Sequence, residues 1–107
     1  MRDFYLGGSI SEVFEMLPEY RVKKVKLGTR EIGLVRIGER IYGFSAFCPH
    51  RGASLIQGSI NSQGEIICPL HQYRFELKTG QATAGDCADL QTYPCQLSEI
   101  GLKITLP

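Results

Sequence analysis

The sequence predicts an all-β fold, an antiparallel sandwich or barrel, and three observations support this. Short segments in which apolar and polar residues alternate recur at close spacing, most clearly in residues 102–106. Turn-forming Gly, Pro, Asn and Ser residues separate these segments. The chain has 107 residues, 43% of them hydrophobic, which suffices for one core and not for two. We therefore expect a single domain over residues 1–107, without internal repeats.

The individual elements follow from the same alternation. The expected strands are residues 4–6, 20–27, 31–37, 41–47, 66–67, 73–76, 91–97 and 102–106. A brief helical turn is expected over residues 11–18, where a proline ends it. In the strand over residues 20–27 the apolar positions change phase, which predicts a bulge near Lys23 and Lys24 or a strand covered on both faces. Gly28 opens a two-residue hairpin turn, and residues 81–89 are expected to form a surface loop.

Two short segments carry the chemistry of the chain. Cys48-Pro49-His50 and Cys68-Pro69-Leu70-His71 each hold one thiol and one imidazole, and seventeen residues separate them. Sulfur and imidazole ligands favour zinc or an iron–sulfur centre over a hard cation. A zinc finger of the common type pairs Cys with Cys and then His with His. The mixed pairing here suits a two-metal site, in which each segment reaches one metal with its thiolate and the other with its imidazole.

The flanking residues resemble those of one family. The first segment continues as Arg51-Gly52-Ala53-Ser54-Leu55 with Gly58 beyond, and the second is followed by Phe75, Thr79 and Gly80. This pattern closely resembles the Rieske ferredoxins, including the small ferredoxins of ring-hydroxylating oxygenases, and the small subunits of assimilatory nitrite reductases share it. The resemblance implies antiparallel sheets with a cluster-binding subdomain at about residues 46–80. It also implies one [2Fe–2S] cluster, with Cys48 and Cys68 on one iron and His50 and His71 on the other.

The function implied by this resemblance is one-electron transfer without catalysis by the chain itself. A soluble ferredoxin of this type passes electrons from a flavoprotein reductase to a terminal oxygenase. One alternative is the small subunit of an NAD(P)H-dependent nitrite reductase, whose partner would be the large subunit. Another alternative, from a different class, is a zinc-stabilised interaction module. Cys/His nucleophilic catalysis would use only one of the two segments and leave the other without a role, so we do not favour it.

Charge and hydropathy exclude several other functions. Lys plus Arg is 12 and Asp plus Glu is 11, so the net charge of +1 gives no support for binding nucleic acid or an anionic membrane. No apolar run is long enough to span a bilayer. The first residues do not favour a secretory signal, so we expect a cytoplasmic location, in which Cys87 and Cys95 remain free thiols.

The chain departs from the wider family at several positions. The respiratory-complex type has a cysteine in each loop that joins the two loops; here Ala53 and Leu70 stand there, so no disulfide is expected. Tyr73 replaces a serine that donates a hydrogen bond to the cluster, which predicts a potential toward the low end of about −150 to +300 mV. Gln72 stands where glycine is usual, which leaves the local backbone angle open. Residues 84–88 occupy the place of a proline-bearing covering loop but contain no proline.

Overall fold

The computed structural model describes residues 1–70 and 72–107, and it is built mainly of short antiparallel strands. The elements in chain order are β1 (Arg2–Leu6), α1 (Ile10–Met16), β2 (Lys23–Leu27), β3 (Arg30–Ile37), β4 (Arg40–Ser45), a 3-10 turn (Leu55–Gln57), β5 (Ser59–Ile60), β6 (Glu65–Ile67), β7 (Arg74–Glu76), β8 (Ala82–Ala84), β9 (Thr92–Tyr93), β10 (Cys95–Ser98) and β11 (Gly101–Leu106). The predicted all-β class is confirmed.

The strands form one three-stranded and two four-stranded sheets. Their orders are β1-β11-β10, β2-β3-β4-β9 and β5-β6-β7-β8. We call the second the middle sheet, because it contributes to two hydrophobic cores, so the expectation of a single core is wrong. Ile32 and Leu34 of β3 belong to the first core, with strands β10 and β11 and helix α1. Val35 of β3 and Phe44 of β4 belong to the second core, with the β5–β8 sheet. Strand β3 is therefore buried and apolar from Ile32 to Val35.

The second core depends on close packing between β3 and β4. Gly33 pairs with Phe44, and a methyl group at Gly33 would lie only 2.5 Å from Cε2 of Phe44. The aromatic ring thus lies directly over the glycine and is fully buried. Around it, the second core contains Leu55, Ile66 and Phe75, which come from the segment that carries the two Cys/His loops.

Helix α1 is short, and side chains at its N-terminal end fix it in place. The hydroxyl of Ser9 accepts from the N–H of Glu12, and the carboxylate of Glu12 accepts from the N–H of Gly8 at 2.5 Å. The first bond caps an N–H that the first helical turn leaves without a partner, and the second resembles a capping box shifted by one residue, because its donor precedes the N-cap. The helix buries Val13 against the first core. No helix in the described part of the chain is long and apolar enough to span a membrane.

The predicted bulge near Lys23 and Lys24 is wrong. Strand β2 begins only at Lys23, and its register with β3 is continuous to the hairpin at Gly28. Tyr20 lies before the strand in a left-handed conformation, with φ of 63°, and its N–H donates to the carbonyl of Arg36 at 3.0 Å. The apolar pattern changes phase because Tyr20 and Val22 belong to this turn and not to the strand.

Two further predictions near the C-terminus are corrected. Residues 81–89 are not entirely loop, because β8 (Ala82–Ala84) pairs with β7. Residues 91–97 are not one strand, because Pro94 divides them into β9 and β10, which lie in different sheets. Proline has no N–H to donate to a ladder, so it marks the point where the chain leaves the middle sheet.

Candidate metal centre

Two loops with the same backbone hydrogen bond form the candidate metal centre. Loop 1 is residues 48–53, after β4, and loop 2 is residues 68–73, directly after β6. In loop 1 the N–H of Cys48 donates to the carbonyl of Ala53 at 2.7 Å. In loop 2 the N–H of Cys68 donates to the carbonyl of Tyr73, also at 2.7 Å. Each loop therefore begins at a cysteine and closes five residues later.

The fifth position of each loop has a left-handed backbone. It is Gly52 in loop 1, with φ of 72°, and Gln72 in loop 2, with φ of 60°. Gln72, which stands where glycine is usual in the family, therefore adopts the same left-handed backbone as Gly52. The conformation costs a residue with a side chain roughly 1–2 kcal/mol. Because the side chain of Gln72 is exposed, no packed neighbour opposes this backbone conformation.

The two loop cysteines are buried side by side. Cys48 is 2% exposed and Cys68 is 1% exposed, and both belong to the second core. Burial raises the pKa of the Cys68 thiol, a hydrogen bond from the N–H of Leu70 lowers it, and the neighbouring Cys48 raises it again. All four cysteines of the chain are free thiols, so no disulfide joins the loops. The prediction that Ala53 and Leu70 leave the loops unbridged is thus confirmed.

The imidazole of His50, which belongs to loop 1, contacts loop 2. Its ring stacks on the ring of Tyr73, with centroids 4.1 Å apart and planes inclined by 13°. Stacking uses the face of an imidazole, whereas a metal binds in the plane of the ring, so the two contacts are compatible. His71, the fourth predicted ligand, lies outside the described residues.

The described donors fit one half of a two-metal cluster of the Rieske type. Within residues 1–70 and 72–107, no three His, Cys, Asp or Glu side chains form a group that could hold one metal ion. In a Rieske centre each iron takes only two protein ligands, and bridging sulfides supply the rest. One iron of such a centre needs two neighbouring thiols, and the two loops provide one each.

Comparison with known families agrees with this geometry. Residues 10–94 match the model of the Rieske [2Fe–2S] domain. The chain belongs to the Rieske family. The ferredoxin component of the naphthalene 1,2-dioxygenase/salicylate 5-hydroxylase systems of Ralstonia sp is 33% identical to it over 91 residues, which cover 84% of this chain and 86% of that protein. The predicted family and the predicted [2Fe–2S] cofactor are thereby confirmed, and the role of this Rieske domain is electron transfer.

Solved structures share the fold of this Rieske chain. The ferredoxin of carbazole 1,9a-dioxygenase from Nocardioides aromaticivorans IC177 has a TM-score of 0.83 and 24% identity, and the match covers 97% of each chain. A candidate small subunit of NADH-dependent nitrite reductase from Mycobacterium tuberculosis has a TM-score of 0.78 and 16% identity, covering 97% of this chain and 96% of that one. At these identities the likeness establishes the fold.

Sequence reasoning missed the roles of two residues near this Rieske centre, Phe47 and Tyr73. Phe47, directly before loop 1, is exposed; its phase with the polar Ser45 could have indicated this. The sequence indicates Tyr73 only as the replacement of a serine that donates a hydrogen bond to the cluster, and no sequence pattern indicates that its ring stacks on His50. Cys87 lies in the covering segment expected at residues 84–88; it is half-buried and packs against the second core, where burial chiefly, and then Cys48, raise the pKa of its thiol.

Proposed function

We propose that this protein is a ferredoxin-type carrier in which Cys48 and Cys68 bind one iron and His50 and His71 bind the other. The observation that carries the proposal is the pair of buried thiols, both in the second core, at the starts of two loops with matching closure. Each thiol follows a strand of a different sheet, so the positions of both are set by the framework and not by the loops alone.

In this proposal the cluster, the second core and the four ligands have separate roles. The bound cluster would supply the one-electron chemistry. The second core surrounds the two cysteines and keeps water from the sulfur side. The cysteines bind as thiolates, so loading the cluster releases their protons. Neutral imidazoles in place of thiolates raise the potential above that of all-cysteine clusters. His50 is half-exposed, so the electron would enter and leave on the imidazole side.

The partners we propose are a flavoprotein reductase as donor and a terminal oxygenase as acceptor. The Ralstonia relative, a ferredoxin component of dioxygenase and hydroxylase systems, supports this assignment. The nitrite reductase alternative has the support of a shared fold at 16% identity.

We also propose a cytoplasmic location and a single Rieske domain over residues 1–107. The cluster-binding subdomain at about residues 46–80 stays a prediction, and the pairing of β8 with β7 would extend it to Ala84.

The composition of the purified protein tests the ligand set and the cluster together. Anaerobically purified protein should contain two irons and two acid-labile sulfides per chain, as a Rieske centre requires. The oxidised form should be reddish-brown, and one-electron reduction should give a rhombic paramagnetic signal with coupling to two nitrogen nuclei. Stoichiometric zinc without iron, in colourless protein, would overturn the proposal in favour of the zinc module. Copurification with a large subunit would favour the nitrite reductase assignment.

Exposed apolar residues on and beside the two loops, which we call the docking tip, predict where the partner binds. Pro49, Pro69 and Leu70 are exposed on the two loops, Leu70 at 42%, with Phe47 adjacent to loop 1. Leu70→Asp should therefore slow electron transfer to the acceptor about tenfold, because a charge at the centre of a small interface must be desolvated. Stopped-flow oxidation of the reduced protein measures this rate, and the cluster spectrum should not change.

A matched substitution separates the tip from the rest of the surface. Ile100 is 70% exposed in the turn between β10 and β11, so Ile100→Asp adds the same charge elsewhere and should leave the rate unchanged. An unaffected rate in Leu70→Asp, combined with a steep loss of rate in moderate salt, would contradict docking at the tip. It would instead favour the exposed lysines of β2, namely Lys23, Lys24 and Lys26.

A further inference from the structure

The stacking of His50 on Tyr73 is a contact between the two loops. His50 belongs to loop 1, and Tyr73 is the residue whose carbonyl closes loop 2. The rings are 4.1 Å apart and nearly parallel, at 13°. Since all four cysteines are free, no disulfide holds the loops together, and this ring pair joins their side chains without a covalent bond.

Gly85 supports the tyrosine from behind. A methyl group built on Gly85 would lie 2.3 Å from Cδ2 of Tyr73, 2.5 Å from Cγ and 2.6 Å from Cε2. Three adjacent ring atoms at nearly equal distance place Gly85 over the face of the ring and not beside its edge. Because His50 covers one face, Gly85 must lie against the other. The positive φ of Gly85, 110°, is a second reason why a side chain is disfavoured there.

We propose that Tyr73, backed by Gly85, is the positioning residue of the iron ligand His50. The inference rests on the ligand set proposed above. An imidazole binds a metal through a lone pair in the plane of its ring, so the ring must not rotate about its bond to Cβ. A flat aromatic surface against one face of His50 opposes that rotation, and Gly85 prevents the tyrosine from retreating. Groups that orient a ligand in this way commonly matter 10- to 100-fold for metal affinity, by order of magnitude.

Substitutions at Tyr73 test this inference on the cluster-containing protein. Tyr73→Leu removes the flat surface, and we expect cluster loss to a chelator to become about tenfold faster. The nitrogen hyperfine couplings in the reduced protein should change, because the plane of the His50 ring is no longer fixed. Tyr73→Phe keeps the ring and loses only the hydroxyl, so its release rate and couplings should match those of the wild type.

Gly85→Ala tests the same stack without changing the tyrosine, should Tyr73→Leu fail to fold. Because the added methyl lies on the face of Tyr73 opposite to His50, it should press Tyr73 against the imidazole and displace it, which should reproduce the faster release and the changed couplings. Gly38→Ala is the matched control, since Gly38 also has a positive φ, 64°, but no atom lies within 4 Å of the place that its added methyl would occupy.

Three outcomes would overturn the positioning role. Wild-type release and couplings in both Tyr73→Leu and Gly85→Ala would do so, as would a Tyr73→Phe protein as labile as Tyr73→Leu, or a Gly38→Ala protein as labile as Gly85→Ala. A failure of the ligand set is distinguishable, because the wild-type protein itself would then contain no iron or show no nitrogen coupling.

Discussion

Replacing Cys68 by serine is expected to abolish the cluster. The residue is 1% exposed and packs in the second core against the other loop cysteine, so no outside group can readily take its place. A serine oxygen is a harder and much less acidic donor than a thiol, and iron–sulfur clusters prefer thiolates. The protein should be purified without iron and without visible absorption. Its thermal transition should be lowered or lost, because metal binding and the order of the loops are coupled.

The other cysteines provide the controls for this experiment. Cys48→Ser and His71→Ala should behave like Cys68→Ser, and His71→Ala tests the ligand that lies outside the described residues. Cys95→Ala should keep the full cluster, because Cys95 packs against the first core, away from the two loops, where burial raises the pKa of its thiol to about 12. A Cys68→Ser protein with undiminished iron and an unchanged spectrum would contradict the proposed ligand set.

Phe44→Ala should cause the largest loss of stability among substitutions that leave the proposed ligands intact. Its ring is fully buried between β3 and the β5–β8 sheet, directly over Gly33. Truncating a buried phenylalanine costs about 3–5 kcal/mol, which includes the lost burial and the remaining cavity. Small domains are stable by only about 5–15 kcal/mol, so much of the total would be lost. Denaturant unfolding of the cluster-containing protein under anaerobic conditions measures the change.

Phe47 offers a control of the same residue type three positions along the chain. It is 50% exposed, against 0% for Phe44, so Phe47→Ala should change the free energy of unfolding by less than about 1 kcal/mol. If the two alanine variants were equally destabilised, Phe44 would not be the packing centre between the middle sheet and the metal-binding segment. A lower rate of electron transfer in Phe47→Ala with normal stability would add Phe47 to the docking tip.

The sequence alone was sufficient for the fold class, the family and the proposed ligands. Alternation with a period of two is a local property of a strand, and it predicted most strands to within a few residues. The ligands were equally accessible, because Cys48, His50, Cys68 and His71 lie in two short segments with a distinctive order of sulfur and nitrogen donors. Even the absence of a disulfide could be read from Ala53 and Leu70, and the free cysteines bear it out.

The remaining features depend on contacts between residues distant in the chain, which no local pattern encodes. Strand β8 forms because Ala82–Ala84 finds hydrogen-bonding partners on β7, and small polar residues otherwise predict a loop. Tyr20 takes a left-handed turn because its N–H reaches the carbonyl of Arg36. The contact of His50 with Tyr73 requires the two loops to lie face to face, and Gly85 joins them from a third segment. The proposed ligands can thus be named from the sequence alone, whereas the proposed orientation of His50 depends on three segments that meet only in the folded chain.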